Sequence, residues 1–223
     1  MAKASFNIVI PLEDDAPIIS DIHLRAMNDN LLTHAQFPTP QALEYFRSWI
    51  TKNTAEHIAD ADKGVLVATD PTTGEIASFI KWLEYGADGE SASAEDEWPE
   101  FCGRQIIQEY TAIAADARKK TLGGSGYCPS ALFRELEDVA SAAGKAIILE
   151  AVMPAVPFYK RLGLDITMQL QLMLPLRGSK ARTELYMEEV MVWMPPSLRQ
   201  SEQPPRVIDS RSGLAKPFTP GAA

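Results

Sequence analysis

Groups that bind metals or form disulfides are scarce in this sequence. It has two cysteines, Cys102 and Cys128, and three histidines, His23, His34 and His57, and neither set has metal-ligand spacing. No zinc site or disulfide framework is expected; the cysteines read as reduced thiols, the histidines as helix-surface or hydrogen-bonded core residues. Cationic side chains are outnumbered, 21 Lys and Arg against 30 Asp and Glu, for a formal net charge of -9. Phosphate-backbone binding depends on a basic footprint, so no nucleic acid partner is expected, whereas an acidic surface suits a cationic amine. No apolar run approaches the roughly 20 residues that cross a bilayer. The opening "MAKASFNIVIPLEDDAP" has the layout of neither a signal peptide nor an arginine-rich transit peptide. A cytoplasmic chain without membrane contact is expected.

What is present suits one globular domain: 223 residues, 46% hydrophobic and 23% charged, enough to bury a continuous core. "FNIVIPL" predicts a strand and "EDDAPIISDIHLRAMNDN" a helix. After a proline-marked loop, "TPQALEYFRSWITKNTAEHIADADKG" predicts a second helix with Thr39 as cap and Pro40 at its first position. "GVLVATDPTTGEIASFIKWLEY" reads as a hairpin around a Pro-Thr-Thr-Gly turn, and "GADGESASAEDEWPE" as a solvated acidic loop. "FCGRQIIQEYTAIAADARKK" and "PSALFRELEDVASAAG" predict helices, the latter strongly amphipathic with Gly144 as its stop. "KAIILEA" is a short continuous apolar run, the pattern of a strand covered on both faces. "DITMQLQLMLPL" alternates, with Ile166, Met168, Leu170, Leu172 and Leu174 on one side, and pairs with "ELYMEEVMVWM" as a terminal antiparallel hairpin. Residues 1–194 make the domain; 195–223, proline-rich and aperiodic, read as a disordered tail.

Between the apolar strand and the hairpin lies "ILEAVMPAVPFYKRLGL", in which two prolines bend the chain into a short helix carrying Tyr159 and ended by glycine. A phenol just beyond the end of a buried strand can donate a proton at neutral pH; the same tyrosine can equally pack on the sheet with its hydroxyl at the rim. Glu150, at the strand end, can meet a substrate or serve as a solvated or capping carboxylate. Glu84, closing "FIKWLEY", can act as a base, directly or through water, or stand as an exposed strand-end acid. Trp82 and Tyr85 read as core or rim residues, with a pocket wall as the alternative.

This element order, together with "SALFRELEDVASAAGKAIILEA" and "AVPFYKRLGL", resembles the GNAT superfamily of acyl-CoA N-acyltransferases, in the flavour of fungal GNAT-like proteins. The resemblance covers most of residues 6–194, in the first half by element order alone. It implies an α/β fold, a mixed sheet flanked by helices, and direct acyl transfer from acetyl-CoA to a small-molecule or peptide amine. Tyr159 matches the tyrosine that protonates the departing CoA thiolate in that family, with Glu84 and Glu150 as the candidate carboxylates.

One family feature is not found. A central strand leading into a Q/R-x-x-G-x-G/A turn, whose backbone amides cradle the CoA pyrophosphate, is expected before the amphipathic helix. The sequence there is "RKKTLGGSGYCPSALFRELE". Either Gly123, Gly124 and Gly126, with Lys119 and Lys120 nearby, form a substitute phosphate loop that feeds the helix at Pro129 and Ser130, or about 20 residues, one strand plus a turn, are absent. The sequence thus carries three expectations: an N-acetyltransferase, a GNAT-like binding or scaffold protein with a damaged CoA site, or a different α/β binding domain whose similarity is coincidental.

Overall fold

The computed structural model describes residues 6–60, 63–85, 98–122, 126–127 and 133–199. The first half holds strand β1 (Asn7–Val9), helices α1 (Ala16–Ala26), α2 (Leu31–Gln36) and α3 (Pro40–Ala59), and strands β2 (Lys63–Thr69) and β3 (Ile76–Tyr85). Helix α4 (Arg104–Leu122), strand β4 (Gly126–Tyr127), helix α5 (Phe133–Ala143), strand β5 (Ile147–Val152) and helix α6 (Val156–Arg161) follow. The long strands β6 (Asp165–Pro175) and β7 (Arg182–Trp193) and a four-residue helix α7 (Pro196–Arg199) complete the described chain. No described helix is long and apolar enough to cross a membrane. The tail expected from 195 begins with α7, whose Arg199 Nε donates to the Met194 carbonyl at 2.8 Å, and from residue 200 it lies outside the described residues.

The seven strands form one mixed α/β sheet in the order β1, β2, β3, β4, β5, β7, β6. Every neighbouring pair is antiparallel except β4 with β5. The expected terminal hairpin is present, and its second strand lies inside it, between β5 and β6. The place of the missing central strand is not empty: β4, two residues long, pairs Tyr127 with Glu84 on one side and with Ile147 on the other.

Local signals account for several boundaries. Thr39 Oγ1 accepts from the Ala42 amide at 3.1 Å and Pro40 opens α3, so the cap and the proline act as their positions predict. The β2–β3 turn is held by Asp70, whose Oδ1 accepts from the amides of Thr72 and Thr73 at 2.7 and 3.1 Å, and Gly74 takes the left-handed conformation with φ 74°. The stripe read in β6 breaks at its start. A register shift between Ile166 and Met168 sends Ile166 to the opposite face from Met168 and Leu170, because an extra residue in a strand inverts the alternation.

Two layers of helix sandwich the sheet. Ile147, Leu149, Ala151, Met191 and Trp193 pack with Phe133, Leu136 and Ala140 of α5. The alternate residues Ile148, Val190 and Val192 pack with Ala114 and Ala117 of α4. Helices α1 and α3 share the α4 side, where Ile19 meets Val65 and Val67, while the intervening Leu66 and Ile80 face the α5 side. Gly64 lies opposite Trp82 in the β2–β3 register, and a Cβ there would overlap the Trp82 ring. Gly64→Ala is expected to cost about 1–3 kcal/mol through forced repacking, read as a lower urea midpoint at unchanged slope.

Where α1 and α3 meet the sheet lies a group of bases, His57 buried and His23 and Lys81 half-buried. Lys81 Nζ donates to Asn53 Oδ1 and Thr54 Oγ1 at 2.7 and 3.1 Å, and burial, then the Lys63 charge, lowers its ammonium to about 8. Burial, then the Lys81 charge, lowers the imidazoles of His23 and His57 from 6.5 to about 4. His57 is not the hydrogen-bonded core residue expected, since its Nδ1 is buried with no partner among the described residues. As pH falls from about 6.5 towards 4, the unfolded chain takes up protons that these folded imidazoles refuse, so stability falls with pH. The loss at His23 is on the order of 3 kcal/mol. Denaturant midpoints followed from pH 7 to pH 4.5 test this, and His23→Gln should flatten the curve.

Candidate active site

Strand β5 leads the chain into the site. Its β7 edge is paired from Ile147 to Val152, whereas its β4 edge is paired with Tyr127 at Ile147. Among the described residues that edge has no strand partner from Ile148 onward. Beyond Val152 the prolines do what their spacing predicts. Pro154 lies in a single 3-10 turn, Met153–Ala155, and Pro157 sits in the first turn of α6, where a missing amide hydrogen costs nothing. Gly163, at φ 87°, ends the helix. The amides of Leu164 and Gly163 donate back to the carbonyls of Tyr159 and Lys160 at 3.2 and 3.1 Å, a Schellman closure with Leu164 buried in the core behind it.

Tyr159 is therefore fixed by its own backbone as well as by packing. Its side chain is half-buried against the α5-side core, in the cluster that includes Leu149, Ala151 and Trp82. Its ring stands at 69° to that of Phe158 with centroids 5.3 Å apart.

Glu150 lies on the other face. Arg118 of α4 grips it with both arms of the guanidinium, Nε to Oε1 at 2.8 Å and Nη2 to Oε2 at 3.1 Å, and the Glu150 side chain is only 8% exposed. The carboxylate expected at a substrate-facing or solvated strand end instead bolts α4 to the sheet. Tyr159 and Glu150 are thus separated by the sheet, whereas Tyr159 and Trp82 share a face. The backbone of Glu84 is in β3 opposite Tyr127, and Gly126 is opposite Tyr85. Gly123, Gly124, Ser130 and Cys128 lie outside the described residues.

Two acids that the sequence did not single out, Glu188 and Glu189, are both buried, 5% and 8% exposed, in the middle of β7. On the α4 side, Tyr110 and Tyr186 donate their hydroxyls to Glu188 at 2.7 and 2.6 Å, and Asn30 Nδ2 donates to the Tyr186 oxygen at 3.2 Å. Burial raises the Glu188 carboxyl, against the two phenols, and burial likewise raises both phenols, which stay protonated donors. On the opposite face Gln169 Nε2 donates to Glu189 at 2.9 Å. The available signal was "YMEEVMV": successive strand residues point to opposite faces, so two acids inside an apolar strand send one to each layer.

No protein-family model and no curated protein matches the chain. Solved structures do. The C-terminal condensation domain of Ebony in complex with β-alanyl-dopamine superposes with a TM-score of 0.59 at 12% identity, covering 86% of this chain and 100% of that one. This chain has a GNAT-like fold. A mosquito arylalkylamine N-acetyltransferase like 5b matches with a TM-score of 0.52 at 16% identity over 85% of this chain and 100% of its own. A mutant agmatine N-acetyltransferase in its apo form matches at 0.52 and 13% over 85% and 99%. At these identities the likeness is one of fold. Within the GNAT-like frame, Tyr159 stands on the helix that follows the second of the two parallel strands, β4 and β5.

Proposed function

We propose that this chain is an acyl-CoA-dependent N-acyltransferase that moves an acetyl group from acetyl-CoA to a small-molecule or peptide amine. The observation that carries the reading is the placement of Tyr159 on α6, the helix that follows β5 of the parallel pair β4 and β5, on the same face as Trp82. The pantetheine arm of CoA contains two amides in an extended chain, and in this reading it runs along the β4 edge of β5, where no strand pairs from Ile148 onward among the described residues. When bound, acetyl-CoA supplies the activated acyl group as a thioester. In this reading Gly123, Gly124, Gly126 and Ser130, ahead of α5, receive its phosphates with backbone amides.

The acceptor nitrogen attacks the thioester carbonyl carbon, forming the C–N bond as the C–S bond breaks. Tyr159 gives its hydroxyl proton to the departing thiolate and is reprotonated from solvent. The proton shed by the nitrogen goes to Glu84, directly or through water. Glu150 has a positioning role, because its oxygens are held by Arg118 on the other face. The neighbours' association with β-alanyl-dopamine, arylalkylamines and agmatine supports a small-molecule amine acceptor, and the net charge of -9 suits a cation.

The test is release of CoA thiol from acetyl-CoA across a panel containing an arylalkylamine, agmatine and a peptide with a free N-terminus. Amine-dependent thiol release supports the reading; a folded chain that releases none sinks it. The alternative is a GNAT-like binding or scaffold protein that lacks turnover.

A further inference from the structure

The bases gathered where α1 and α3 meet the sheet have no part in acyl transfer. Lys81 stands in β3 opposite Val65 of β2, and its Nζ donates to two neutral oxygens of α3, Asn53 Oδ1 and Thr54 Oγ1. His57 follows Asn53 by four residues and Thr54 by three, so all three share one face of the helix. The Lys81 charge acts on His57 and on His23 of α1. His23 in turn stacks on Phe79, two residues before Lys81 on the same strand face, with centroids 6.0 Å apart.

Packing alone explains neither the missing acid nor the idle nitrogen of this cluster. A lysine drawn under two helices is normally paired with a carboxylate, yet Lys81 has no ion pair among the described residues. Glu56 pairs with Lys52 and Asp60 with Lys63, and among charges the ammonium of Lys63 acts on Lys81 more strongly than Glu56 does. His57 is 7% exposed, and its Nδ1 has no hydrogen-bond partner among the described residues, a costly state for a buried nitrogen. The cluster thus holds a primary amine, an unused imidazole nitrogen and a second ammonium, and it lacks a negative charge.

We propose that Lys81 is a carboxylation site, at which carbon dioxide adds to Nζ and the resulting carbamate is held by His57, Asn53 and Lys63. The lone pair of the free amine attacks the carbon of carbon dioxide; the N–C bond forms as one C=O electron pair moves onto oxygen, and Nζ passes a proton to His57 Nδ1. Counted from the ammonium, one further proton goes to solvent, and a lone cation becomes a carbamate anion paired with an imidazolium. The imidazolium donates its Nδ1 hydrogen to a carbamate oxygen, which gives the idle nitrogen its partner, and the Asn53 amide, turned over, presents its Nδ2 donors. Burial, then Lys63, holds the Lys81 ammonium at about 8, so roughly a tenth of it is free amine at neutral pH. A half-buried amine under packed helices favours a small uncharged electrophile over a bulky thioester, and carbon dioxide is the one that leaves a negative charge where cations are gathered. The step uses no acyl-CoA, so the site stands or falls apart from the acyl-transfer reading.

Chemical trapping tests it. The full chain is equilibrated with isotopically labelled bicarbonate near pH 8, treated with triethyloxonium ion, which converts a carbamate to a stable ester, and mapped by peptide mass spectrometry. The labelled ester is expected at Lys81 ahead of every other lysine and the N-terminal amine, and is expected to be lost when the chain is unfolded in guanidinium chloride before trapping. Lys63→Gln, folded by circular dichroism, should need about threefold more bicarbonate for half occupancy, the worth of a partly exposed ionic contact. Label confined to the N-terminal amine, label spread evenly over the lysines, equal label at Lys81 in the unfolded chain, or occupancy unmoved in folded Lys63→Gln would each overturn the proposal. A parallel sample given acetyl-CoA separates the two electrophiles: an acetyl group on Lys81, with no carbamate there in the bicarbonate sample, would overturn it as well. Should Lys63→Gln fail to fold, the map of the unsubstituted chain decides alone.

Discussion

Tyr159→Phe is expected to lower kcat for acetyl transfer by about 100-fold, the lower end of what a positioned proton donor contributes. The ring is retained, so its contacts with the α5-side core and with Phe158 persist, and the Schellman closure uses the Tyr159 backbone carbonyl, which the substitution leaves alone. Only the hydroxyl is lost. Poor leaving groups depend on protonation more than good ones, so donors with a more acidic thiol leaving group should recover much of the rate. A uniform loss across thioesters, with acetyl-CoA affinity falling in parallel, would instead assign the hydroxyl to binding.

Arg118→Ala is expected to destabilise the fold by about 3 kcal/mol, because it strips the guanidinium from a carboxylate that is 8% exposed while leaving the charge in place. The same substitution removes a contact of α4 with β5, so the effect falls on the helix that also supplies Tyr110 to Glu188. Arg118→Met/Glu150→Leu should recover most of the loss, since it removes both charges together. Urea unfolding of the two variants measures this. Equal destabilisation by both would mean that packing volume, rather than the carboxylate charge, sets the cost.

What the sequence made legible was local. Pro154, Pro157 and Gly163 predicted the bend, the helix and its stop around Tyr159, and Thr39 with Pro40 predicted the start of α3, because these residues act through their own backbone geometry. Helix α2 was missed although Asn30 caps it by accepting from the Thr33 amide at 3.1 Å; six residues are too few for a helical stripe to show. What stayed hidden was long-range. The alternation in β6 and β7 announced a hairpin but not that β7 lies against β5, since an apolar strand carries no label for its second neighbour. The pairing of Arg118 with Glu150 joins residues far apart in sequence, and Glu150 alone looks like any strand-end acid. The clasp of Tyr110 and Tyr186 on Glu188 likewise exists only once α4 lies on the sheet.

The central claim, that this GNAT-like sheet receives an acyl-CoA beside Tyr159, is tested most directly by calorimetric titration of the purified chain with acetyl-CoA. The account predicts one-to-one binding with a micromolar Kd, kept in the Tyr159→Phe variant. A chain that is folded by circular dichroism and takes up no acetyl-CoA would contradict it, and would leave the GNAT-like fold as a scaffold.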